Sequence, residues 1–150
     1  MIDLRETKRI KEALAKNPNN YQSIISNTKL AVCITDAVGN FVAVNDNYVS
    51  LYNFSREELI GHPFTMVVPP ENREYLQQLH NRFIAERYEI LRRWVVQNKT
   101  GENMEIFVDA GYNDQIKGTP HKITFIQFQK KIDTTDNEQK KFANTEGGSA

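Results

Sequence analysis

The sequence has one cysteine, no long apolar run and no signal peptide, and each of these shortages excludes a class of protein. A single cysteine, Cys33, cannot form an intramolecular disulfide, so a reducing compartment such as the cytoplasm is expected. No stretch approaches the roughly 20 apolar residues that span a bilayer. The start, MIDLRETKRI, is charged where a signal peptide would be apolar. We therefore expect a cytoplasmic protein without membrane insertion.

Charge of one sign is also missing. Nineteen basic residues balance nineteen acidic ones, so no net field draws the chain to nucleic acid, and nucleic-acid binding is not expected. A chain of 150 residues that is 39% hydrophobic and 25% charged is typical of one globular domain.

The apolar periodicity predicts an α+β fold. Helices are expected at residues 3–16 and 21–26, strands at 30–36 and 41–45, helical segments between 46 and 86, and strands at 88–97, 103–113 and 121–130. Strands that follow one another in a pair and a triple, joined by short turns, favour a five-stranded antiparallel sheet in the order ββ, helices, βββ. Small helices should cover one face of this sheet, and the N-terminal helix is an addition to it.

The stretch FSREELIGHPF, residues 54–64, predicts a short helix with both ends specified. Ser55 is a good N-cap and Glu58 lies three residues later, the spacing of a capping box. Gly61 can adopt the left-handed conformation that ends a helix, and Pro63 prevents its continuation. This local detail holds Phe64 in a fixed place.

The segment ITDAVGNFVAVNDNYVSLYNFSREELIGHPF resembles the first half of a PAS (Per-Arnt-Sim) domain, and the later strands with IDTT resemble its second half. The resemblance implies a sheet curved around small helices with a pocket between them. It also implies a module that senses a ligand or light, or dimerises, and signals to an effector. On this basis the chain divides into an N-terminal helix at 1–18, a PAS domain at 19–135 and a flexible or partly helical C-terminal linker at 136–150.

Two cofactors occur in relatives of this kind, and we expect neither here. In the light-oxygen-voltage subgroup, a cysteine that bonds to flavin would stand where this chain has Phe64, and an asparagine would stand where it has Val96. Gln129, by contrast, matches a glutamine that contacts the flavin ring in that subgroup. For haem, His80 follows the expected ligand position by about two turns and reads better as a partly exposed helix residue. His62, His121 and Cys33 share no metal-ligand spacing with it. A flavin- or haem-bearing redox or gas sensor is the alternative function.

Catalysis is not expected. The sequence has no GxSxG elbow, Walker loop, HExxH or Cys-x-x-Cys motif.

The inward residues of the helices and strands are the candidates for a ligand pocket. Strand alternation places Trp94 and Val96 on one face with Arg92, and places Phe125, Gln127 and Gln129 on the same inward side. The polar members favour a small polar ligand, whereas the bulky members would favour a pocket filled by side chains. The candidates are Tyr48, Tyr52, Phe64, Met66, Leu79, Phe83, Arg92, Trp94, Gln127 and Gln129.

The opposite face of the sheet is also apolar, which indicates that a helix or another chain covers it. The N-terminal helix could fold back on its own sheet or pair with a second copy, and we expect a homodimer. The interface candidates are Ile10, Leu14, Leu91, Val95, Ile126 and Phe128. By resemblance, Asp133 and Thr135 after the last strand would relay the signal to an outgoing helix. The effector would be a separate protein or a further part of a longer chain.

Overall fold

An antiparallel sheet with helices on both faces forms the molecule, of which a computed structural model describes residues 1–89 and 92–132. The strands are β1 (Ala31–Asp36), β2 (Phe41–Val44), β3 (Arg93–Gln97), β4 (Asn103–Asn113) and β5 (His121–Ile132). The helices are α1 (Leu4–Lys16), α2 (Tyr21–Ser26), α3 (Asp46–Tyr52), α4 (Arg56–Leu59) and α5 (Arg73–Glu86). Single 3₁₀ turns occupy Pro18–Asn20, Phe64–Val67, Pro70–Asn72 and Ile116–Gly118. The predicted α+β class and five-stranded antiparallel sheet are confirmed.

The strand order is β2-β1-β5-β4-β3, and every pair of neighbours is antiparallel. The β1–β2 hairpin and the three-stranded β3–β4–β5 meander therefore meet where β1 pairs with β5, so β5 is the central strand of the sheet and β1 lies beside it. This closure unites residues that are about 90 positions apart, such as Cys33 and Thr124.

The sheet divides the buried apolar residues into two cores. The inner core lies under α3, α4 and α5 and contains, among others, Tyr48, Tyr52, Trp94, Ile106 and Ile126. The outer core lies under α1 and α2 and contains, among others, Ile10, Leu14, Ile25, Ile123 and Phe125.

Helix α1 covers the outer face of its own sheet. Asp3 caps it by accepting from the backbone N–H groups of Arg5 and Glu6, and its apolar side buries Ile10 and Leu14 completely. The Lys11 ammonium pairs with the Asp109 carboxylate of β4 at 3.0 Å, which ties the helix to the sheet. The assignment of Ile10 and Leu14 to a dimer interface is therefore corrected, since both side chains are used within the chain.

The faces of β5 are the reverse of those predicted. Ile126 pairs with Val108 and lies in the inner core, whereas Phe125 lies in the outer core. Because alternate residues share a face, Gln127 points away from the inner core and Ile126 does not belong to an outer surface. Both faces of β5 are covered, so its sequence is apolar on both sides and alternation alone could not choose between them.

Strand β3 is shorter than predicted and begins at Arg93 instead of residue 88. Helix α5 ends at Glu86, its C-cap Arg87 adopts the left-handed conformation with φ 58°, and the chain must turn before pairing can start. Val95 is completely buried rather than on a free surface, which corrects its interface assignment. Leu91, Asp133 and Thr135 lie outside the described residues.

Asn45 joins the two layers. Its side-chain oxygen accepts from the backbone N–H of Val32 at 3.1 Å and of Tyr48 at 3.0 Å. Its amide donates to the carbonyls of Ile25 at 2.8 Å and Leu30 at 2.9 Å. One buried amide thus caps α3, holds α2 and fixes the start of β1, with all its polar atoms satisfied.

No helix within residues 1–89 and 92–132 has the length and apolar character that a membrane crossing requires.

Candidate functional site

A small cavity of about 80 Å³ lies between the inner face of the sheet and the helices that cover it. Four of the predicted pocket residues line it: Tyr48 and Tyr52 from α3, Phe64 from the following 3₁₀ turn and Trp94 from β3. The wall also includes Val67, Val68, Leu76, Val96, Ile106, Val108 and Ile126 from the inner core. The prediction that Val96 lies in this wall also agrees with the structure.

The other predicted pocket residues lie elsewhere. Met66 and Leu79 are half-buried and pack on the inner core without reaching the cavity. Phe83 and Arg92 line an outer groove near the N-terminus. Gln127 lies beside Lys29 and Phe128 in a separate surface groove, and Gln129 is exposed. The expected polar wall of Arg92, Gln127 and Gln129 is therefore absent from this cavity.

The predicted capping of α4 is confirmed and accounts for the position of Phe64. The Ser55 hydroxyl accepts from the Glu58 backbone N–H at 3.1 Å, and the Glu58 carboxylate accepts from the Ser55 backbone N–H at 2.9 Å. Gly61 closes the segment with φ 85°. The Phe64 backbone N–H then donates to the Gly39 carbonyl at 2.9 Å.

The close contact between residue 39 and Phe64 requires a glycine at position 39. Its φ is 101°, and a Cβ at this position would lie 3.0 Å from the Phe64 ring. The glycine of the β1–β2 turn thus makes room for the aromatic ring that closes one end of the cavity.

Two polar atoms of the wall have no hydrogen-bond partner. The Tyr52 hydroxyl and the Trp94 indole N–H are both buried, and neither makes a hydrogen bond within the described residues, although the Tyr48 hydroxyl lies close enough to that of Tyr52 to affect its pKa. The Tyr48 and Tyr52 rings stack with centroids 4.5 Å apart, which holds the Tyr52 ring in place.

Burial keeps the nearby acids protonated. It raises the pKa of the Cys33 thiol to about 11 and raises the pKa of the Tyr52 hydroxyl above its ordinary value. The cavity wall therefore carries a neutral thiol and neutral phenols near pH 7. The prediction that Cys33 is a small buried residue of β1 is confirmed.

The charged side chains of the wall are Glu89 and Lys122, and they pair with each other. Their side chains are 13% and 11% exposed, and the Lys122 ammonium also lies 4.7 Å from the Phe83 ring centroid. The sequence analysis missed both residues, because the pair joins the segment after α5 to β5 across 33 positions.

His80 also lines the cavity, which corrects its predicted exposure. The ring is only 2% exposed, and its Nε2–H donates to the Asp36 carbonyl at 3.0 Å. Burial, followed by the charge of Lys122, lowers the pKa of His80. A signal was available in the sequence, since Leu76, His80 and Phe83 share one face of α5 at steps of four and three.

Neither flavin nor haem fits this wall. Cavities that enclose such ligands measure about 300–1,000 Å³, several times the volume here. Gln129 does not reach the cavity, Val96 offers no polar atom, and the His80 Nε2–H is committed to a backbone carbonyl. Among residues 1–89 and 92–132, no group of three or more His, Cys, Asp or Glu side chains could hold a metal ion.

Comparisons with solved structures show the fold that this chain shares. A structure of a PAS domain from Desulfitobacterium hafniense aligns with a TM-score of 0.63 and 10% identity, covering 71% of this chain and 99% of that one. The PAS domain of a LuxR-family transcriptional regulator from Burkholderia thailandensis, in complex with ethanol, aligns with a TM-score of 0.55 and 16% identity, covering 72% and 96%.

A light-oxygen-voltage domain of a blue-light-activated histidine kinase from Erythrobacter litoralis is also similar. Its TM-score is 0.54 and its identity 14%, with 69% of this chain and 99% of that one covered. No curated protein sequence matches the chain significantly. The family model of the PAS fold matches residues 19–126, most of the chain. This chain therefore belongs to the PAS family of sensory domains.

Proposed function

We propose that this chain is a non-catalytic, cytoplasmic sensory module that takes a small molecule into the inner cavity and passes the change to helix α1. The observation that carries the proposal is the alternation of β5. Thr124 and Ile126 line the cavity, whereas Ile123 and Phe125 lie in the outer core with Ile10 and Leu14 of α1. If a ligand in the cavity shifts β5, the side chains of the outer core that pack on the other face of β5 must therefore repack.

Helix α1 is suited to be the responding element. Its attachments to the sheet include one apolar side, the partly exposed Lys11–Asp109 pair and the Lys11 ammonium over the Phe125 ring, so a change in the packing of β5 can alter how firmly it docks. A ligand that prefers one docking arrangement shifts the equilibrium by its difference in affinity for the two. The receiver of the signal is then the effector that contacts α1, whether a separate protein or a further part of a longer chain.

A cavity-filling variant tests this coupling without knowledge of the ligand. Val96→Leu adds one methylene to the wall, and Val38→Leu makes the same change at a turn residue that is 66% exposed. We expect amide hydrogen exchange in residues 4–16 to change in Val96→Leu and to stay as in the wild type in Val38→Leu. Unchanged exchange of α1 in both variants would refute the proposed route.

The redox or gas sensor is not favoured as a second function, because the cavity wall fits neither flavin nor haem.

A further inference from the structure

The chemistry of the cavity wall indicates a class of ligand, and this inference rests on the proposed function. Among the described residues, two side chains of the wall, Tyr52 and Trp94, which are 0% and 2% exposed, carry a polar group without a hydrogen bond. The Tyr48 hydroxyl lies near that of Tyr52, so the Trp94 indole N–H is the clearer case. Buried polar groups are nearly always satisfied, so each exception needs an explanation. The indole N–H can only donate, and therefore the missing partner of Trp94 must be an acceptor.

The wall has no spare charge to receive an ionised ligand. The Lys122 ammonium is paired with the Glu89 carboxylate, and the His80 Nε2–H is committed to the Asp36 carbonyl. The Cys33 thiol and the Tyr52 hydroxyl are protonated because burial disfavours their anions. A carboxylate or ammonium ligand would lose its hydration here without compensation.

The size of the cavity limits the ligand to a few heavy atoms. Its volume of about 80 Å³ is roughly half of the ~150 Å³ apolar cavity that takes up benzene. A molecule of about three or four heavy atoms is therefore the right size. Water alone satisfies the wall poorly, since a buried water needs two to four polar partners and the accessible surface of this wall is mostly apolar.

We propose that the cavity binds a short, uncharged oxygen-containing molecule of the ketone or alcohol class. Its oxygen accepts from the unpartnered donors, Trp94 N–H and Tyr52 O–H, and its alkyl groups contact Val67, Leu76 and Ile106.

Acetone and acetate are the matched probes, because they have the same number of heavy atoms and differ in charge. Trp94 is the only tryptophan of the chain, so its indole N–H gives a single resonance in a ¹⁵N–¹H spectrum of the full-length protein. We expect acetone to shift this resonance in a saturable manner, and sodium acetate at neutral pH and equal ionic strength to produce no saturable shift.

Variants at the two donors test the hydrogen bonds. Tyr52→Phe, followed on the indole resonance, and Trp94→Phe, followed on the Val96 amide, should each weaken acetone binding by about 2- to 10-fold. Tyr88→Phe, at a tyrosine that is 42% exposed, should leave the Kd unchanged.

A linear shift without saturation, equal binding of acetate, or unchanged affinity in both donor variants would overturn the inference. The proposed coupling to α1 is judged separately by Val96→Leu, which requires no ligand. If acetone fails while Val96→Leu changes the exchange of α1, the ligand class is wrong and the sensory function stands.

Discussion

Tyr52 combines complete burial with an unpartnered hydroxyl, and its effect on stability can be measured directly. Removing an unsatisfied buried hydroxyl removes a desolvation cost of about 1–3 kcal/mol. We therefore expect Tyr52→Phe to raise the free energy of unfolding of the ligand-free protein by about 1 kcal/mol in urea titrations. Tyr88→Phe, at an exposed site, should change it by less than about 0.5 kcal/mol. A less stable Tyr52→Phe protein would show that the hydroxyl has a partner after all.

His80 makes stability depend on pH in a defined window. Because burial and the charge of Lys122 lower its pKa in the folded protein, the unfolded chain, with a pKa of about 6.5, binds a proton that the folded one refuses. The full stability is thus present above about pH 6.5, falls as the pH drops below that value, and levels off below the lowered pKa.

Urea unfolding at a series of pH values between about 8 and 5 tests this window. The wild type should lose stability toward the acid end. His80→Gln should be less stable at neutral pH but should show a flatter profile, because its side chain does not titrate. His62→Gln, at an exposed loop position, should retain the wild-type slope. Parallel profiles for the wild type and His80→Gln would contradict the assignment.

The predictions for single residues that were wrong concern side chains whose partners lie far away in the sequence. Gly61, Ser55 and Glu58 were predictable because their roles are local and have fixed spacings. The burial of His80 depends on a carbonyl 44 positions away in β1, and the neutral state of the wall depends on the Glu89–Lys122 pair. No spacing rule in one sequence indicates such pairs.

At the scale of elements, α1 is an integral part of the outer core. Leu14→Ala would leave a cavity against Ile123 and Phe125 and should cost about 2–5 kcal/mol of unfolding free energy. Leu4→Ala is the matched control on the same helix, since Leu4 is 59% exposed and its loss should cost less than about 0.5 kcal/mol. Thermal and urea unfolding of both variants would check the difference. Equal, small effects would mean that α1 is only loosely docked.

The existence and order of the elements were predictable, whereas their register was not. The helix Tyr21–Ser26 and the strand Asn103–Asn113 coincide with the predicted ranges, because each has a clear pattern bounded by turn residues. The faces of β5 were reversed because a strand covered on both sides has no polar side to mark its orientation. A bulge between β4 and β5 adds to this: Glu105 pairs with Lys130 but Ile106 pairs with Phe128, which skips Gln129.

At the scale of the whole molecule, one sheet serves two cores, and this arrangement explains why the cavity is small. The inner core is filled by Tyr48, Tyr52, Phe64 and Trp94, so little volume is left for a ligand. The outer core buries the apolar side of α1, so the expected homodimer cannot use Ile10 or Leu14 while the helix stays docked. A second copy must then contact a different surface.

Of the predicted interface residues in the described part of the chain, Phe128 is the one that remains exposed, at 44%. It lies at a strand edge that is free among residues 1–89 and 92–132. β1 starts at Ala31, which pairs with Ile126, so residues 127–132 of β5, except Gln129, pair with β4 but have no partner in β1. An antiparallel edge is complementary to its own copy across a two-fold axis. We therefore predict a homodimer in which two β5 edges pair beside the Phe128 rings.

Light scattering on the wild type should then give twice the chain mass of 17.4 kDa. Phe128→Glu places like charges opposite each other across the two-fold axis and should give a monomer with an unchanged circular dichroism spectrum. Val38→Glu introduces the same charge at a residue that is 66% exposed on the β1–β2 turn, far along the chain from this edge, and should remain a dimer. A monomeric wild type, or a Phe128→Glu variant that keeps the dimer mass, would exclude this edge as the interface, because pairing at so short an edge cannot tolerate two facing carboxylates.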